Sequence, residues 1–235
     1  MLGAAATRTC DPNEVYRDAL IALAPARGIN NGQPSLWAAM FERLAVRPGE
    51  RVLHLGCGGG YYSAILAELV GPGGFVRAFE IEPRLAALAR RALAPWPWVR
   101  VRRADAARDV FAPADLPADI LLASAGATHP LPAWLDAIAP GGRLLLPLTD
   151  SLDQGAMLLL NRGENGFSAR FLQRVAFIPF RGARDAETAR DLAAALCRDG
   201  GASVRSLRRD PHPAAADCWL HRPDVCLSTR GAESG

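Results

Sequence analysis

Apolar positions along the chain switch between two spacings, and the switching predicts the order of elements. Residues 51–55 place Val52, Leu53 and Leu55 in a short apolar run that reads as a strand. Residues 62–70 carry Ile65, Leu66, Leu69 and Val70 at helical spacing. The succession then repeats, with strands at 75–79, 99–103, 119–123 and 143–147 and helices at 83–93 and 131–138. Upstream, Asp11, Pro12 and Glu14 form a capping-box-like start for a helix over 12–23, closed by Pro25. Residues 35–45 read as a second helix, with Leu36, Met40, Phe41 and Leu44 on one face. After residue 147 the pattern changes. Residues 154–160 and 168–178 read as two strands around a polar, glycine-containing turn at 161–166, a hairpin signal. Residues 185–197 read as a last helix, stopped by Gly200-Gly201. From Ser203 onward the chain is rich in Arg and Pro and reads as an irregular tail, with a short edge strand at Val225-Cys226-Leu227.

The junction between the first strand and its helix carries the chemistry. Gly56, Gly58 and Gly60 form a G-x-G-x-G turn with Cys57 inside it. Glycine tolerates positive φ, and its missing Cβ lets backbone N–H groups approach a ligand. The helix start that follows offers unpaired N–H donors to a polar or anionic group. Such a turn points to a nucleotide or a nucleotide-like molecule. Glu80 closes the second strand about twenty residues on, where a carboxylate can accept from both ribose hydroxyls. Asp105 closes the third, in reach of an adenine amino group. The polar loop at 27–35, which includes Asn30, Asn31, Gly32 and Ser35, leads towards the same place. Together these elements predict an α/β fold: a Rossmann-like, doubly wound, mostly parallel seven-stranded sheet with an antiparallel C-terminal hairpin. Residues 1–182 form the main domain, with an N-terminal helical cap at 1–48, and 183–235 pack on it as a helix and tail.

Composition narrows the function further. The chain has 235 residues, half of them hydrophobic, enough for a full core. No apolar run approaches the length of a membrane span, and residues 1–10 lack the charged start and sustained apolar core of a signal peptide. The net charge is +3, every basic residue is Arg, and Arg102-Arg103 and Arg208-Arg209 are pairs rather than a nucleic-acid stripe. Neither a nucleic-acid nor a membrane partner is expected. The five cysteines include no C-x-x-C pair, which argues for free thiols in a reducing, cytoplasmic setting. His212, Cys218, His221 and Cys226 cluster in the tail, but their spacings match no compact zinc pattern, so no metal is expected.

The residues also carry a family likeness. Between roughly 29 and 181 the chain resembles the protein-L-isoaspartate O-methyltransferase family of class I S-adenosylmethionine-dependent methyltransferases. The carriers are Gln33-Pro34, Pro48-Gly49-Glu50-Arg51-Val52-Leu53, the glycine turn with Tyr61, the stretch Ala64 to Val70, Pro140-Gly141-Gly142 and Phe177-Ile178-Pro179-Phe180. The resemblance implies S-adenosyl-L-methionine as cofactor. It places His54, Gly56, Cys57, Gly58, Gly60, Tyr61, Glu80, Ile81, Asp105 and Ala106 around that cofactor, and Asn31, Gly32 and Ser35 in a substrate loop. The implied acceptor is an isoaspartyl carboxylate in a protein or peptide. Two departures stand out. Gly32 occupies the family's serine position and Asn30 its threonine position, which leaves room for another acceptor, a small metabolite or a modified peptide, or for a cofactor-binding module without catalysis. His54 stands where many methyltransferases carry an acid. A carboxylate acceptor needs no general base; a hydroxyl or amine acceptor would, and His129 after the fourth strand is the candidate.

Overall fold

The computed structural model describes residues 18–109 and 111–232. A ten-stranded sheet runs through the molecule. At its centre lies β3 (Arg51–Leu55), flanked on one side by β4 (Phe75–Glu80) and β5 (Val99–Arg103) and on the other by β6 (Ala118–Ala123) and β7 (Ile138–Thr149). These five are parallel. The long strands β8 (Gln154–Arg162) and β9 (Phe167–Ala176) then continue the sheet as an antiparallel hairpin.

Strand and helix alternate as the periodicity predicts. Helices α1 (Pro34–Leu44), α2 (Tyr61–Val70) and α3 (Pro83–Ala92) cover one face, and α4 (Pro132–Ala137) and α5 (Ala186–Asp199) the other. Successive side chains on a strand point to opposite faces, so β3 serves two cores. Val52 packs with Trp37, Met40, Leu66 and Val70, while Leu53 and Leu55 pack with Trp134, Leu144 and Leu192. Burial on both sides explains why the central strands read as near-continuous apolar runs. The turn before β3 is clamped from across the sheet. Arg143 donates to both Glu50 oxygens, at 2.8 and 2.9 Å, in a bidentate pair.

Three expectations are corrected. The seven predicted strands, β5-β4-β3-β6-β7-β8-β9, are extended by β10 (Ser206–Arg208), β12 (Cys226–Ser228) and β11 (Cys218–His221), in that spatial order. The tail is therefore strand-forming rather than irregular, because the open edge of β9 offers unpaired backbone groups that β10 satisfies. Residues 226–228 lie between β10 and β11 and are not the edge. The predicted helix over 12–23 falls partly outside the described residues. Within them, 18–23 are not helical, and Ala22–Ala24 (β1) instead pairs with Ile29–Asn30 (β2) in a small separate ribbon.

Candidate active site

The C-terminal ends of β3, β4, β5 and β6 open into a cleft of about 1080 Å³. That volume lies just above the roughly 300–1,000 Å³ range of small-molecule sites. It lies beside β3, whose neighbours β4 and β6 belong to opposite halves of the winding, the switch point at which open α/β sheets bind ligands. The floor comes from Gly56, Cys57, Gly58, Gly59, Glu80, Ile81, Asp105, Ala106 and Ser124. The ribbon and the loop from Asn30 to Ser35 form the roof, and residues 173–181 after β9 form the far wall.

The glycine turn is held from below. Gly56 and Cys57 donate their N–H groups to the Phe79 carbonyl, each at 2.9 Å. Gly58 has φ +57°, and its N–H donates to Glu80 Oε2 at 2.8 Å. The Glu82 N–H donates to Glu80 Oε1 at 2.9 Å. Burial raises the Glu80 carboxyl above its ordinary range, while the N–H groups of Glu82, Gly58 and Ile81 pull it back down. An ionised carboxylate offers about four lone-pair positions. Each Glu80 oxygen thus retains acceptor capacity for the hydroxyls of a vicinal diol, although the side chain is almost wholly buried. Asp105, also on the cleft, is oriented by the Ala107 N–H at 3.0 Å. The Ala106 carbonyl accepts from Trp134 Nε1 at 2.8 Å, which ties that part of the floor to the core. Burial pushes the Cys57 thiol well above its ordinary value, so this cysteine fills space and does not act as a nucleophile.

Two predicted cofactor residues are not among those that line the cleft. His54 is fully buried beneath it, with Nδ1 2.8 Å from Ser63 Oγ and Nε2 2.9 Å from Ser124 Oγ. Burial lowers its pKa to about 3, so the ring is neutral. A neutral imidazole has one donor and one acceptor nitrogen, and two hydroxyls satisfy both. His54 therefore braces β3 against α2 and the loop after β6. Gly60 likewise serves packing. A Cβ on it would stand 3.0 Å from Leu93 Cδ1 and 3.3 Å from the Ala89 Cα. His129 is a third correction. It is buried against Thr128 Oγ1 at 2.9 Å, away from the cleft lining, and burial and the nearby Arg222 guanidinium lower its pKa to about 4.

The predicted substrate loop does line the cleft. Asn30 Oδ1 accepts from the Gly32 N–H at 2.8 Å, and Asn31 Oδ1 from the Ile21 N–H at 2.6 Å. Ser35 donates its backbone N–H and its hydroxyl to Asp18, both at 2.8 Å, and these bonds hold the Asp18 carboxyl below its ordinary range. Asp18 thus satisfies donors at the start of α1 from seventeen residues upstream, a distance at which no local capping signal exists. Glu82 was also missed. It pairs with Arg27 from the ribbon side and with Arg181 from the far wall at 3.4 Å, so one carboxylate joins both rims.

The comparisons with known proteins agree with this geometry. The model of the family described as protein-L-isoaspartate(D-aspartate) O-methyltransferase matches residues 8–185. The chain belongs to that family. A protein-L-isoaspartate O-methyltransferase of Methylorubrum populi is 36% identical over 167 residues, 71% of this chain and 76% of the relative. One from Methanopyrus kandleri is 34% identical over 159 residues, 66% and 70% of the two chains. A solved protein-L-isoaspartate O-methyltransferase shares the fold with a TM-score of 0.68 at 21% identity, covering 87% of this chain and 63% of that one. A Plasmodium falciparum beta-aspartate methyltransferase, solved with S-adenosyl-L-homocysteine, gives 0.61 at 18% identity over 71% and 82%. Gly32, expected from the resemblance to stand in place of a serine, has a constrained setting. It has φ +74°, and a Cβ there would lie 2.5 Å from Trp37 Nε1. The left-handed backbone and the Trp37 indole together disfavour any side chain at this position.

Proposed function

We propose that the chain transfers a methyl group from S-adenosyl-L-methionine to a carboxylate of a protein or peptide, of the isoaspartyl type that the family acts on. The observation that carries the reading is the union of Gly58 and Glu80 in the cleft floor: a bare backbone turn and a strand-end carboxylate with acceptor capacity left over. In this reading Gly56 and Gly58 give the cofactor's amino-acid portion close access to backbone, Glu80 accepts from the ribose hydroxyls, and Asp105 with Ile81 and Ala106 flanks the adenine. When bound, the cofactor supplies an electrophilic methyl group on a sulfonium, open to in-line attack. The chain's part is to position the acceptor and exclude water.

The cleft's own chemistry favours a carboxylate acceptor. Neither His54 nor His129 is among its lining residues, and burial raises both the Cys57 thiol and the Tyr62 hydroxyl. A hydroxyl or amine would need a base, which none of these four groups supplies; a carboxylate is already ionised at neutral pH and needs none. Arg27, Arg174 and Arg181 lie on the rim and supply positive charge for an acidic peptide. Leu20, Ile21, Tyr61 and Leu88, all substantially exposed, give the rim an apolar surface for the rest of the ligands. The test is methyl transfer from labelled cofactor to an isoaspartyl peptide, set against its aspartyl twin. Base-labile ester on the isoaspartyl peptide alone is expected. Equal labelling of the twins, or none with S-adenosylhomocysteine bound, would overturn the acceptor; no binding of S-adenosylhomocysteine would overturn the cofactor site as well.

A further inference from the structure

We infer that His212, Cys218, His221 and Cys226 form a tetrahedral zinc site that fixes the C-terminal extension to the edge of the sheet. Their ligand atoms all lie within 4.8 Å of one another. Around a zinc ion with bonds of roughly 2.3 Å to sulfur and 2.0–2.1 Å to nitrogen, donors stand about 3.3–3.8 Å apart. A contraction of about one ångström would therefore close the site.

The strand geometry explains how irregular spacing converges. His221 and Cys226 are cross-strand partners on β11 and β12 and so share a face. Residues three apart on a regular strand point to opposite faces. The register shifts between Cys218 and Leu220, and that extra step lets the Cys218 side chain join His221 on the same side. His212 comes from the loop between β10 and β11.

The two histidines are set up for a cation. His212 Nδ1 lies 2.7 Å from the Asp210 carbonyl, which can only accept, so Nδ1 carries the proton. That leaves the Nε2 lone pair to accept from Cys218 Sγ, 3.5 Å away, a contact that a metal ion would replace. The Ala215 N–H donates to Cys218 Sγ at 3.3 Å, which orients the sulfur. His221 Nδ1 is buried without a hydrogen-bond partner, and its ring packs edge-on to His212 with centroids 5.0 Å apart. Cys226 is fully buried. Neither cysteine is in a disulfide. On binding, the two thiols release two protons, and two thiolates with two neutral imidazoles neutralise the divalent ion. The mixed sulfur–nitrogen set suits zinc rather than a hard cation. All four residues lie beyond residue 185, where the family match ends, so the site belongs to this chain's extension and not to the cofactor cleft.

The experiment uses the full chain, untagged and purified under reducing, chelator-free conditions. Elemental analysis is expected to find one zinc per chain. After zinc removal, Co(II) titration should give the intense visible bands of a tetrahedral centre and a thiolate charge-transfer band. His212→Gln and Cys218→Ser should each weaken uptake at least tenfold while S-adenosylhomocysteine binding, read in parallel, reports that the fold survives. Absence of zinc together with a failed Co(II) titration of reduced protein would overturn the site. So would octahedral cobalt spectra, uptake unchanged in both variants, or a Cys218–Cys226 disulfide whose reduction restores no metal affinity.

Discussion

Gly32 and Trp37 are built against each other: a Cβ on the glycine would fall 2.5 Å from the indole nitrogen, and the glycine carbonyl accepts from Tyr62 Oη at 3.2 Å. Trp37 is itself fixed by Tyr62, Phe41 and Phe177, with ring centroids 5.1, 6.0 and 5.9 Å away. A side chain at position 32 therefore comes at a cost in packing. Gly32→Ser is expected to destabilise the protein by about 1–3 kcal/mol, from the left-handed backbone and the clash. It should also lower kcat/KM instead of raising it. Thermal unfolding and peptide kinetics on the same preparation check both; a gain in activity would show that position 32 wants a hydroxyl after all.

Glu80 makes a separable prediction. Glu80→Gln keeps one oxygen but turns an amide NH2 towards a backbone N–H of Gly58 or Glu82, both of which are donors. Losing a charge-assisted acceptor costs about 1.5–3 kcal/mol. S-adenosylhomocysteine affinity should fall roughly ten- to hundredfold. Gly58→Val should act similarly by another route, since its Cβ would stand 3.0 Å from Leu23 Cδ1 at φ +57°. Calorimetry with either variant giving an unchanged Kd would remove these two residues from the cofactor's surroundings.

The parts of this site that the sequence reveals are those whose signal is local. Gly56, Gly58, Glu80 and Asp105 sit at the ends of strands marked by apolar runs or, before Asp105, by Val/Arg alternation, and the fold brings all four to one cleft. His54 and Gly60 lie in the same local pattern, yet they face inward. Which way a residue on this turn points depends on α2 and α3, and no spacing records that. Asp18 and Glu82 act across gaps that local patterns do not span. The tail strands are only three or four residues long and lie in a stretch rich in Arg and Pro. Their strand character comes from the neighbouring edge rather than from propensity.

The two buried histidines set a pH limit on stability. His54 titrates at about 3 and His129 at about 4, each below the ordinary 6.5 of the unfolded chain. As pH falls, the unfolded chain takes the protons first. The contribution of each ring is complete above 6.5 and is lost as pH falls through its folded value, first for His129 and then for His54. Denaturation midpoints in urea should decline steadily below pH 6.5, and His54→Ala should lower the unfolding free energy by about 2–4 kcal/mol at neutral pH, leaving Ser63 and Ser124 unpaired. A midpoint that stays level down to pH 4 would contradict neutral, buried imidazoles.

The rim pair makes a prediction about substrate charge. Arg27 and Arg181 are half or more exposed, and both lean on Glu82, so one acid holds two guanidiniums near the cleft mouth. An acidic peptide entering the cleft competes with Glu82 for them. Glu82→Gln keeps the backbone N–H that orients Glu80 and removes only the competing charge. It should lower KM for an acidic isoaspartyl peptide several-fold, with kcat little changed, because the gain is in binding alone. Arg181→Ala should raise KM by a similar factor. Both effects should shrink at high salt, since these charges are exposed and screened. If Glu82→Gln instead weakens S-adenosylhomocysteine binding and leaves peptide KM alone, Glu82 belongs with Glu80 at the cofactor, and the rim arginines take no part in drawing the acceptor in.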